Sequence, residues 1–114
     1  MNIPAPNLSI IIPVYNEEKT VLDILNQIDK LKSFCELEVI IINDGSIDNT
    51  KKIIKENPKL YSKFINLEQN KGKGKAVIEG IKECTKNYII IQDADLEYDP
   101  QDIKIFLEQR KKIK

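Results

Sequence analysis

Two short runs, Leu8–Val14 and Leu37–Ile42, are rich in Ile and Val and too short to be helices, and they set the strongest limit on what this chain can become. A strand with one wet face alternates apolar and polar side chains, whereas a near-continuous apolar run belongs to a strand buried on both faces. Parallel sheets covered by helices bury their strands in this way. After the first run, Val21, Ile24, Leu25, Ile28 and Leu31 recur at helical spacing, with Glu17 and Glu18 where a helix start favours negative charge. Ile53 and Ile54 carry a shorter helix that Pro58 ends, and Phe64–Leu67 is the weakest of the expected strands. Ala76, Val77, Ile78, Ile81 and Cys84 form the apolar face of a third helix, which Gly80 weakens. Tyr88–Ile91 is a fourth strand. Asp99 followed by Pro100 reads as an N-cap and first helical residue, opening a helix over Ile103, Ile105, Phe106 and Leu107. Strand–helix alternation of this kind predicts an α/β fold, a Rossmann-like and mostly parallel sheet with alternating helices, in a single domain over residues 1–114.

Composition narrows the chemistry. Eighteen Lys and Arg balance eighteen Asp and Glu in 114 residues, so the chain lacks the basic excess of a general nucleic-acid binder. With no His, imidazole zinc sites and His acid–base catalysis are excluded. Carboxylates, lysines, hydroxyls and backbone must carry any reaction. Cys35 and Cys84 are 49 positions apart, sit among apolar neighbours, and read as small buried hydrophobes in a reducing, cytoplasmic setting. The first seven residues lack the basic and apolar regions of a signal peptide, and no apolar run reaches the roughly 18–20 residues of a membrane span.

Every polar motif follows a strand: Asn16-Glu17, Asp44-Gly45-Ser46, Asn70 to Gly74, and Asp93-Ala94-Asp95. In a parallel sheet these strand ends share one edge, where open α/β folds bind their ligands. Asp93 and Asp95 can reach one site if the chain turns there, and such oxygen donors suit Mg²⁺ or Mn²⁺; a solvated acidic turn or helix cap is the alternative. Asp44 either accepts a hydrogen bond from a ligand N–H or belongs to a turn in which Ser46 or Asp48 caps the next helix. Lys71, Lys73 and Lys75 alternate with Gly72 and Gly74, a pattern that can cradle phosphate at a helix start or form a solvated basic face. Lys51–Lys75 holds eight lysines against Glu56 and Glu68, so positive charge is concentrated there. Neither a Walker loop nor a Gly-x-Gly-x-x-Gly after the first strand is present, which argues against a dinucleotide oxidoreductase.

In order along the chain, Pro13-Val14-Tyr15-Asn16-Glu17, Asn43-Asp44-Gly45-Ser46, Asn70-Lys71-Gly72-Lys73-Gly74 and Asp93-Ala94-Asp95-Leu96-Glu97 resemble family 2 glycosyltransferases of the GT-A fold. The pattern is most similar to transferases that move mannose or glucose onto dolichyl or polyprenyl phosphate. The resemblance implies sugar transfer from a nucleoside diphosphate, UDP- or GDP-linked, with inversion at the anomeric carbon. It implies a metal-binding site for Mg²⁺ or Mn²⁺ at Asp93 and Asp95, and donor nucleotide contacts at Pro13, Tyr15, Asn16, Glu17, Asp44 and Lys73. Asp44 would read the base. The implied acceptor is a polyprenyl or dolichyl phosphate, or a glycan, met in the cytoplasm or at the cytoplasmic face of a membrane. The sequence departs from the family pattern at Asn43, in place of a first acidic residue, and at Glu97, where the lipid-phosphate subgroup often has Gln. Related domains continue for about another hundred residues, so this stretch reads as the donor-binding half, with any catalytic base expected beyond Lys114 and with nucleotide-sugar binding without transfer as the alternative activity.

Overall fold

The structure, a computed structural model, describes residues 7–95, 100–103 and 105. Strand β1 (Asn7–Val14) leads through helix α1 (Val21–Asp29) and a short 3-10 turn (Lys30–Ser33) to β2 (Glu36–Asp44). Helix α2 (Thr50–Glu56), a second 3-10 turn (Pro58–Leu60), β3 (Lys63–Leu67), α3 (Lys73–Glu83) and β4 (Tyr88–Ile91) follow. The four strands form one parallel sheet in the order β3-β2-β1-β4. All four expected strands form, each within two residues of its expected bounds. Residues 101–103 and 105 are helical, with Ile103 buried; Glu97, Asp99, Phe106 and Leu107 lie outside the described residues.

The alternation of side chains along β1 and β2 divides the core between the two faces of the sheet. Leu8, Ile10, Ile12 and Val14 join Val39 and Ile41 against Val21, Ile24, Leu25 and Ile28 of α1 and Ile54 of α2. The opposite side chains, Ile11, Ile40 and Ile42, pack against Ala76 of α3. Each such side chain contributes roughly 1.5–3 kcal/mol by leaving water, which explains why the two central strands tolerate so little polarity.

Helix α3 turns a different face to the sheet from the one its Ile residues suggest. Ile78 and Ile81 are 51% and 46% exposed, whereas Ala76 and Gly80 are buried and Cys84 is half-buried. Gly80 is the reason. A Cβ there would come within 2.7 Å of both Ile11 Cγ2 and Ile42 Cδ1, so its missing side chain lets the helix settle onto β1 and β2. The residue expected to weaken this helix is the one that docks it. Edge strand β4 also leaves apolar surface open, with Ile89 and Ile91 about half exposed.

At the N-terminal end of the sheet, two polar residues interrupt the apolar runs and face each other across the register, Ser9 opposite Glu38. Ser9 Oγ donates to Glu38 Oε1 at 2.8 Å, and Glu38 also accepts the Thr85 backbone N–H and hydroxyl, both at 2.9 Å. Lys86 N donates to Ser9 Oγ at 3.2 Å, and the Lys63 ammonium lies 3.6 Å from Glu38. Burial pushes the Glu38 carboxyl up, but these hydrogen bonds and the Lys63 charge outweigh it and hold the group below its ordinary value. A satisfied buried carboxylate thus ties the turn after α3 to β1 and β2.

The packing predicts that Gly80→Val destabilises the chain by about 2–3 kcal/mol through overpacking, while Ile78→Lys on the same helix costs less than about 1 kcal/mol. Urea melts of the two variants check the contrast; equal losses would mean that α3 docks on another face.

Candidate functional site

The strand order places the chain reversal between β1 and β4, and parallel pairing sends the loops after all four strands to one edge. A pocket of about 250 Å³ opens there, lined by Pro13 and Val14 at the end of β1, Tyr15 and Glu17 just after it, Asp44 at the end of β2, Asn70 and Gly72 before α3, Lys73 at its start, and Asp93, Ala94 and Asp95 after β4. Seven of the eight residues expected at the donor and metal sites therefore come together. Asn16 is outside the lining.

Asn16 has a structural task. It adopts φ 52°, the left-handed region that Asn tolerates better than most residues. Its N–H donates to Ser46 Oγ at 2.9 Å and its side-chain oxygen accepts Ile47 N–H at 2.9 Å. Glu17 N donates to Thr50 Oγ1 at 2.9 Å, and Glu18 Oε2 accepts Asn49 N–H at 3.1 Å. These bonds clamp the loop after β1 to the loop after β2. Asp48 accepts Thr50 N–H at 2.9 Å just ahead of α2, but the N-cap position is Asn49, which makes no side-chain cap bond, so neither Ser46 nor Asp48 is the N-cap expected from the sequence. Glu17 and Glu18 precede α1 rather than opening it: Thr20 N and Val21 N donate to the Glu17 carbonyl at 3.1 and 2.9 Å.

Asp44 is 3% exposed, and its two oxygens accept Lys71 N–H at 2.8 Å and Gly72 N–H at 3.0 Å. Asn70 Nδ2 donates to the Asp44 carbonyl at 3.2 Å. The carboxylate is thereby the anchor of the glycine-lysine loop. Gly45 makes the close approach possible: it has φ +71°, and a Cβ there would lie 2.3 Å from Asn70 N. Asn43 is buried beside it and bonds Asn66 on β3 at 2.8 Å, which places it in the sheet rather than in the pocket lining.

With the loop so held, α3 begins at the pocket. Its first turn carries Lys73 and Lys75 and no acidic residue. Positive side chains at the positive end of a helix dipole are unfavourable by about 0.3–1 kcal/mol each, a cost that an anion bound there would offset. Lys73 Nζ forms an ion pair with Asp93 Oδ1. Across the pocket, the Thr20 hydroxyl reaches both the Ala94 carbonyl and, at 3.2 Å, Glu17 Oε2, tying the Asp93–Asp95 turn to the start of α1.

Burial raises the Glu17 carboxyl above its ordinary value; the Thr20 hydroxyl opposes this, and the negative charges of Asp95, Asp48 and Asp93 add to it. The pocket is thus short of positive charge on its carboxylate side. Among the described residues no three carboxylates or thiols gather into a cage for an ion. Two carboxylates, Asp93 and Asp95, nevertheless fit a Mg²⁺- or Mn²⁺-type ion, which keeps several positions for water and phosphate oxygens.

An α/β domain with a basic helix start and a pair of carboxylates at the switch point of its sheet has the layout of the open α/β folds that bind ligands at this edge. Residues 9–112 match the family described as glycosyl transferase family 2, and the chain belongs to it. It is 42% identical over 106 residues to poly-beta-1,6-N-acetyl-D-glucosamine synthase of Staphylococcus epidermidis, covering 92% of this chain and 26% of that protein. The chain therefore spans about a quarter of the length of that relative. Among solved structures, S. aureus TarS 1-349 superposes with a TM-score of 0.72 at 27% identity, over 90% of this chain and 32% of its own. The same TarS fragment is also known in complex with UDP, where the TM-score is 0.71. The mannosyltransferase PcManGT of Pyrobaculum calidifontis, solved with GDP-Man and Mn²⁺, gives a TM-score of 0.72 at 24% identity over 81% of this chain and 28% of its own. These likenesses establish the GT-A-type α/β fold.

A carboxyl whose value is raised on folding contributes stability below its unfolded value and loses it as pH rises through the folded one. Glu17→Gln should therefore melt higher than the wild type at pH 7, with the gap closing toward pH 4. A gap that persists or widens at pH 4 would contradict the charge-crowded pocket.

Proposed function

We propose that this domain binds the nucleoside diphosphate sugar of a glycosyltransferase reaction in the pocket between β1, β2, α3 and β4. The observation that carries the reading is the meeting of Tyr15, Glu17, Asp44, Lys73, Asp93 and Asp95 in one cleft at the strand ends. In this reading Pro13 and Tyr15 form the wall against which the nucleoside lies. Asp44 holds the loop beside it, and reading of the base by Asp44 would use the carboxylate lone pairs that Lys71 and Gly72 leave over. Lys73 and the start of α3 receive the diphosphate. Asp93 and Asp95 would hold Mg²⁺ or Mn²⁺, a Lewis acid that stabilises the departing diphosphate.

A uracil nucleotide is favoured by the UDP complex of TarS, the relative of higher identity among the two liganded structures named above. The acceptor is proposed as a glycan, since the sequence relative is a synthase of poly-beta-1,6-N-acetyl-D-glucosamine. A polyprenyl phosphate acceptor, expected from motif resemblance, has no counterpart among the relatives named. Among the described residues no helix is long and apolar enough to cross a membrane.

The test is a thermal melt of the chain titrated with UDP, GDP and ADP, each with and without Mn²⁺. UDP with Mn²⁺ should raise the midpoint by roughly 2.7 kcal/mol equivalent at a hundredfold excess over Kd, while Asp93→Asn and Asp95→Asn should remove the metal-dependent part. A melt that no nucleotide moves would overturn the proposal; a shift with GDP alone would overturn the choice of base.

A further inference from the structure

The Lys73–Asp93 ion pair lies inside the pocket, joining the two groups to which the proposed function gives different partners. Asp93 is one of the two carboxylates suited to a divalent ion, and Lys73 stands at the α3 start suited to phosphate. We propose that Lys73 is an internal cation that occupies Asp93 until a nucleoside diphosphate gives its ammonium another partner, so that metal and nucleotide enter the site as a coupled pair. This inference rests on the reading of the pocket as a donor site.

The argument is electrostatic. An ammonium on Asp93 neutralises one of the carboxylates that an incoming divalent ion needs, and it repels that ion over the same short distance. Lys73 thus weakens the site for metal alone. It cannot leave without cost, because the crowded charges of Glu17, Asp93 and Asp95 would then face each other uncompensated. A diphosphate removes this conflict: the Lys73 side chain, 60% exposed and able to swing, moves its charge to the phosphate oxygens, and Asp93 becomes available in the same event. Asp44 contributes by holding Gly72 through its N–H, which keeps the base of the Lys73 side chain between the two destinations. Coupling of this kind is reciprocal, so each ligand must raise the affinity for the other by the same factor.

Direct metal binding tests it without reference to turnover. Mn²⁺ affinity is measured by the electron paramagnetic resonance of the free ion, with and without UDP, for the wild type, Lys73→Gln and Lys75→Gln. Lys75 is exposed on the same helix turn and outside the pocket lining, so its loss changes the net charge equally without freeing Asp93. Lys73→Gln should bind Mn²⁺ alone roughly three- to tenfold more tightly than the wild type, and UDP should then increase its Mn²⁺ affinity by a smaller factor. Lys75→Gln should match the wild type. Mn²⁺ affinity that is unchanged or weaker in Lys73→Gln, or an equal gain in Lys75→Gln, would overturn the inference. If the wild type binds UDP with Mn²⁺ but Lys73→Gln shows no gain for Mn²⁺ alone, the donor site stands and only the internal-cation role falls. If UDP binds to none of the proteins, the donor reading falls with it.

Discussion

Parallel pairing of β1 with β2, in register from Asn7 opposite Glu36 to Val14 opposite Asn43, is the constraint on which the rest depends. It requires a helix between the strands, covers both faces, and delivers every following loop to one edge. Once β3 adds beside β2 and β4 beside β1, the ends of β1 and β2, the start of α3 and the turn after β4 meet at one edge and enclose a cleft. The pocket is a consequence of topology before it is a matter of side chains.

Side chains then fix the loops that topology brings together, and one carboxylate does most of this. Asp44 ends β2 and accepts two successive backbone N–H groups from the loop that starts α3. Buried N–H groups need partners, and a charged acceptor supplies stronger bonds than a neutral one. Asn16, Ser46, Thr50 and Asp48 perform the same task between the loops after β1 and β2. The cleft is thus lined on one side by loops tied to each other. The opposite end of the sheet has its own anchor, the Ser9, Glu38 and Thr85 cluster, so the turns at both ends of α3 are fixed by buried acids.

Much of this was legible in the sequence because it rested on periodicity and punctuation. The Ile-rich runs marked the strands, and polar motifs after each run marked the site edge. What escaped was whatever depended on contacts between distant segments. Gly80 read as a flaw in a helix because helix propensity is local, whereas its role depends on Ile11 and Ile42 about seventy and forty residues away. Asn16 was expected to contact the nucleotide with its neighbours, whereas it lies outside the pocket lining; its left-handed backbone and its bonds to Ser46 and Ile47 are visible only in three dimensions. Ser9 and Glu38 were passed over, although one polar residue in each of two otherwise apolar runs was a readable signal that the two face each other. Asp44 was expected to accept from a ligand or to belong to a turn, and it lines the pocket; its hold on Lys71 and Gly72 was not foreseen, since nothing local announces a hydrogen bond across 27 positions.

The central claim is that one cleft gathers Asp93 and Asp95, proposed to hold the metal, and the start of α3, proposed to receive the diphosphate. Paramagnetic broadening of backbone amide signals by Mn²⁺, in the presence of UDP, tests it most directly. The account predicts that broadening centres on Glu17, Gly72, Lys73 and Asp93 to Asp95 and spares Ser9, Glu38 and Thr85 at the far end of the sheet. Broadening centred on the Glu38 cluster, or spread evenly over exposed carboxylates, would contradict it.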